Sequence, residues 1–134
     1  MSRPPLPPSD EPAIKVVMMP RDTNADGTIF GGVILSLIDQ AAYVEAIRQA
    51  HHRYVTVVFQ QVEFHKPVFM GDILSLRTET KRIGRTSITI VVKVLAMRRS
   101  DLCTVVNVTE AEVIFVAVDA DGNPISVHDD STCA

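Results

Sequence analysis

Basic excess is missing from this chain: its formal net charge is -3. With no cationic face for a phosphate backbone, a nucleic-acid partner is not expected. Cysteine is scarce as well. Cys103 and Cys133 stand far apart, with no CxxC and no His/Cys ligand spacing, which fits a reducing, cytoplasmic compartment and gives no metal signature. Long apolar runs are missing too. The longest charge-free one, residues 28–38, falls well short of the ~20 residues that span a bilayer, so no membrane insertion is expected. There is no GxGxxG, no GxxxxGK and no nucleophile elbow around a serine or cysteine, which removes the usual dinucleotide, phosphate-loop and serine-hydrolase readings.

What is present suits one globular domain. The 134 residues are 46% hydrophobic and 22% charged, long enough to bury a core without disulfides. The mean hydropathy of +0.18 is apolar for so short a chain, which suggests surface hidden between subunits. Residues 1–12, MSRPPLPPSDEP, hold five of the eight prolines and no apolar signal-like stretch, so they read as a flexible leader. Residues 13–127 form the domain, and 128–134 a tail.

Residues 14–19 (IKVVMM) are β-branched and stopped by Pro20, a first strand followed by a polar loop to Thr28. From Phe30 to about Ala50, apolar residues recur at helical spacing, with glycine only at the start. Four segments of strand composition follow: 54–64, 73–83, 86–97 and 104–118. Their separators are short and turn-like, as expected between antiparallel neighbours. The order is α+β: one long helix wrapped by a curved antiparallel sheet of about five strands, the helix being the only element able to cover that sheet. An exposed edge and an apolar outer face are expected to pair with another copy.

The motifs resemble a known family. Met19-Pro20-x-Asp22-Thr23-Asn24-Ala25-x-Gly27-x-Ile29-Phe30-Gly31-Gly32, then Ile38-Asp39, then Phe64-x-x-Pro67-Val68-x-x-Gly71-Asp72 look like the YciA-type acyl-CoA thioesterases over roughly residues 14–127. That resemblance implies a hotdog-fold enzyme that hydrolyses acyl-CoA to a carboxylic acid and coenzyme A. It also implies active sites at dimer interfaces, a homo-oligomer that is often a trimer of dimers, and no metal or prosthetic group. By the same resemblance, Asp39 is the helix carboxylate acting as base or nucleophile, and Asn24 the loop asparagine that assists from the opposite side.

The chemistry fits the residue types. Thioester hydrolysis puts negative charge on the carbonyl oxygen, and a donor aimed at it is commonly worth ~3 kcal/mol. Gly31 and Gly32, lacking Cβ, let a carbonyl approach unpaired amides at the positive end of the helix dipole; close packing of helix on sheet would use the same pair. Asp39 lies seven residues beyond Gly32, on the same helix face. A carboxylate among apolar residues is costly unless hydrogen-bonded or functional, and loss of water makes it a better base. Asn24 before Ala-Asp-Gly is also ordinary turn chemistry.

Coenzyme A carries a 3′-phosphate and a pyrophosphate, so cations are expected near the mouth of the site. Arg82, Gly84, Arg85, Thr86 and Ser87 offer charge and hydroxyls in one loop, with Lys66 a further candidate. His51-His52 sit where they would complement the helix C-terminus. Two other readings share the scaffold. One is a non-catalytic acyl-CoA-binding module; the other is an enoyl-CoA hydratase or dehydratase, which ranks below because no histidine stands in the loop or at the helix start.

Overall fold

Residues 4–128 are described in a computed structural model of the protein; Cys103 falls among them, and Cys133 with the rest of the tail beyond 128 lies outside. The elements are β1 (Ile14–Val17), a single 3-10 turn (Pro20–Asp22), α1 (Gly31–Gln49), β2 (Arg53–Phe64), β3 (Ile73–Ile83), β4 (Ser87–Met97) and β5 (Val105–Val118). The sheet order is β1-β3-β4-β5-β2, and every pairing is antiparallel. The long helix and five-stranded sheet expected from the sequence are therefore present, with element ends shifted by only one or two residues.

The sheet wraps α1 because one face of each strand is apolar. Ile88, Ile90, Val92 and Val94 alternate along β4 and are fully buried, as period-two spacing requires. The helix meets them with Ala41, Ala42 and Ala46, small enough to bring its backbone close to the sheet. Phe115, Ile38, Leu74 and Leu76 complete the core. The exposed part of the helix is mixed: Tyr43 and Val44 remain 43% and 47% exposed beside the polar pair Ser36 and Gln40. Tyr43 and Val44 thus leave apolar surface on the helix without a cover in the single chain.

The two sheet edges differ. β1 is four residues long, whereas β2 runs for twelve and is interrupted by bulges near Val57 and Gln61, the latter at φ 52°. Val55, Val57, Phe59 and Phe64 on β2 are 38–52% exposed. A long apolar edge of this kind is a template for a further strand. The leader contributes nothing to the core, but it lies against the domain: Gln49 exchanges hydrogen bonds with the Leu6 backbone, and Arg48 donates to Pro7 O at 2.8 Å.

Candidate active site

The loop before α1 is built around Asn24. Its Oδ1 accepts from the amides of Asp26 and Thr28 at 2.9 and 3.2 Å, and its Nδ2 donates to Thr28 Oγ1 at 2.8 Å. Gly27 adopts φ +85° at the tip, a left-handed conformation that disfavours a side chain. Asn24 thus shapes the loop that delivers the chain to Phe30. Phe30 occupies the N-cap, but it has no oxygen to bond the first amides. Val33 and Ile34 N–H both turn to Phe30 O, which leaves the N–H groups of Gly31 and Gly32 without an acceptor among the described residues.

Packing within the chain does not demand glycine there. A Cβ on Gly32 would meet nothing within 4 Å, and one on Gly31 would touch the Phe64 ring at an ordinary 3.5 Å. Neither glycine has a positive φ. The close-packing explanation of the pair therefore finds no neighbour to support it, while an open cleft of about 310 Å³ does lie beside Gly31, walled by Thr28, Ile34, Phe64, Lys66 and Val68.

Asp39 lies two turns along α1, half-buried, and accepts one hydrogen bond, from Thr56 Oγ1 on β2 at 2.7 Å. Thr56 pairs with Phe115 on the helix-facing side of the sheet, so the hydroxyl points at the helix and orients one carboxylate oxygen. Thr56 escaped the sequence reading; its only signal was a threonine in an apolar strand, which β propensity explains equally well.

The expected coenzyme cluster divides in two. Arg82, Gly84, Arg85, Thr86 and Ser87 do share one tight turn, closed by Gly84 N–H donating to Ser87 O at 2.8 Å, with both arginines exposed. That turn stands at the end of the sheet where Ser87 pairs with Val116 and Arg53 with Val118. Lys66 stands at the other end, in the cleft beside Gly31. The eleven residues of β3 span about 35 Å at strand rise, so one protomer cannot bring Lys66 and the turn onto one end of a ligand.

The Phe64–Asp72 motif is explained by loop construction. Asp72 is buried, and its Oδ2 accepts from Phe69 N–H at 2.9 Å and from Arg98 Nη1 at 2.7 Å. Arg98 also donates to Pro67 O at 2.9 Å and lies over the Phe69 ring. Ile29 N–H in turn donates to Val68 O at 2.8 Å, and Thr28 bridges Phe69, so this loop is the floor on which the Asn24 loop rests. Among the described residues, no group of three or more His, Cys, Asp or Glu side chains is placed to hold a metal ion.

The chain as a whole is similar to known proteins. The Thioesterase superfamily pattern matches residues 26–103. An acyl-CoA thioester hydrolase of Zymomonas mobilis, described as uncharacterized, is 44% identical over 123 residues, covering 92% of this chain and 82% of that protein. Acyl-CoA thioester hydrolase YciA of Salmonella typhimurium is 37% identical over 119 residues, 87% of this chain and 90% of that one. Among solved structures, the hexameric hotdog-fold thioesterase Cj0915 of Campylobacter jejuni superposes with a TM-score of 0.83 at 41% identity, over 89% of this chain and 91% of that one.

Proposed function

The chain belongs to the Thioesterase superfamily, among the acyl-CoA thioester hydrolases, and from that membership we propose that it cleaves acyl-CoA thioesters to a free acid and coenzyme A at a site built on α1. The observation that carries the reading is the glycine pair. Two amides stand at an uncapped helix start, Gly31 beside an open cleft and Gly32 against open space, with nothing among the described residues that requires their side chains to be missing. They supply the oxyanion donors. Asp39, steered by Thr56, takes a proton from water as that water attacks the thioester carbon. The tetrahedral intermediate expels the thiolate, which recovers the proton. Direct attack by Asp39 through an anhydride is the same assignment with water entering one step later. Asn24 contributes by holding the loop in front of the amides.

The site is composite. The exposed apolar β2 edge and the uncovered side of α1 fit a second copy packed antiparallel, which brings the helix start of one protomer toward the β3–β4 turn of the other. Arg82, Gly84, Arg85, Thr86 and Ser87 of one copy, with Lys66 of its neighbour, then meet the phosphates of one coenzyme. A trimer of such dimers matches the assembly named for Cj0915. Among the described residues no helix is long and apolar enough to cross a membrane, and a cytoplasmic enzyme without metal or prosthetic group is the proposed setting. Thiol release measured over a panel of acyl-CoA chain lengths tests the whole reading. Turnover by the wild type, lost in Asp39→Ala with the oligomer intact, is expected; an Asp39→Ala enzyme with near-normal turnover removes Asp39 from the mechanism.

A further inference from the structure

We infer that His52 is a positioning residue for the coenzyme, acting through Val127 to fix the β3–β4 turn that carries Arg82 and Arg85. This inference rests on the assignment of that turn to the coenzyme phosphates. After β5 the chain reverses at Asp119–Asn123, Ile125 N–H donates to Ala117 O, and Val127 then reaches the turn. Val127 is 1% exposed and bonds in both directions: its N–H donates to Arg85 O at 2.8 Å, and its carbonyl accepts from His52 Nε2 at 2.9 Å. A carbonyl only accepts, so Nε2 carries the proton. Nδ1 is enclosed with no hydrogen-bond partner among the described residues. The ring stands edge-on to Tyr54, 6.0 Å between centroids, and Tyr54 is anchored by its hydroxyl to Ala50 O at 2.8 Å. The sequence places His52 where it would complement the helix dipole; in the fold its imidazole is instead the buried end of a strap.

A strap of this kind matters because exposed arginines bind phosphate well only when the backbone beneath them is already in place. Beyond Gly84 N–H to Ser87 O, the turn is held from outside by Ala117 N–H to Thr86 O and by Val127 N–H to Arg85 O. Releasing His52 frees the Val127 carbonyl and lets the second of these drift. The loss falls on coenzyme affinity and leaves the chemistry at Asp39 untouched.

The test is steady-state kinetics of His52→Ala, His52→Gln and Arg85→Ala on an acyl-CoA and on the N-acetylcysteamine thioester of the same acid, which lacks the nucleotide. His52→Ala should raise KM for acyl-CoA about three- to tenfold, the span allowed by one buried hydrogen bond, with kcat unchanged and the short thioester hydrolysed as by wild type. His52→Gln, whose amide can donate to the same carbonyl, should restore KM. Normal KM in His52→Ala beside a raised KM in Arg85→Ala overturns the strap and leaves the phosphate assignment standing; normal KM in Arg85→Ala overturns both. Equal losses on the two thioesters, or no rescue by His52→Gln, mark His52 as purely structural and also overturn the inference.

Discussion

Helix α1 carries two carboxylates that differ in almost everything but charge. Asp39, in its middle, is half-buried and among the described residues holds a single partner, the Thr56 hydroxyl. Glu45, near its end, is 2% exposed and fully engaged: Arg48 donates from Nε at 2.7 Å and Nη2 at 3.2 Å, Gln49 at 3.1 Å and Thr80 at 2.7 Å. A carboxylate offers about four acceptor positions. Glu45 has filled them and ties the helix end to β3, and through Arg48 and Gln49 to the leader. Asp39 keeps positions free for a water. Burial alone does not mark a reactive acid; unused hydrogen-bonding capacity on a carboxylate that water can still reach does.

Substitutions can break that contrast. The largest effect should come from Asp39→Ala, a loss of thiol release on the order of 10³-fold with unchanged melting temperature. Glu45→Ala should do the reverse, costing ~3 kcal/mol of stability through lost charged hydrogen bonds and an emptied site. Calorimetry should show a fall of roughly 10 °C, with kcat per folded enzyme retained. Gly32→Ala adds a methyl where the chain leaves open space, so stability should hold or rise slightly. Displacing a carbonyl from the amides by about 1 Å should still slow turnover about 10²-fold; an unaffected rate would detach the glycine pair from catalysis. Thr56→Val should cost about tenfold in kcat by releasing one oxygen of Asp39.

Acid sharpens the same comparison. Burial pushes the Glu45 carboxyl up, but hydrogen bonds from Arg48, Thr80 and Gln49 and the Arg48 charge outweigh it and hold the group below its ordinary 4.5. As pH falls the unfolded chain takes the proton first. The stability this cluster contributes is therefore complete above 4.5 and is lost as pH drops through the lower, folded value. Denaturant titrations from neutral pH into acid should show that decline in the wild type and a flatter course in Glu45→Gln.

Much of this was legible in the residues because it depends on local rules. The turn at Gly84, the helix from Phe30 and the strand alternation of 73–83 and 86–97 follow from backbone freedom and periodicity, which neighbours in the chain dictate. Asp39, Asn24 and the glycine pair stood out because their types are unusual at those places. Thr56 and His52 did not, since a threonine in a strand and a histidine after a helix are ordinary locally.

The sequence by itself determined the architecture, the order of the elements and the chemical types gathered at the start of α1, because these rest on spacing and propensity over a few residues. Only the tertiary structure decided which donors reach which acceptors. It put Thr56 on Asp39, saturated Glu45, brought Val127 between His52 and Arg85, and set Lys66 at the far end of the sheet from the arginine turn. Those pairings join residues 17 to 75 positions apart; the packing of the helix and of the segment after β5 against the sheet sets them, and no local pattern encodes that packing.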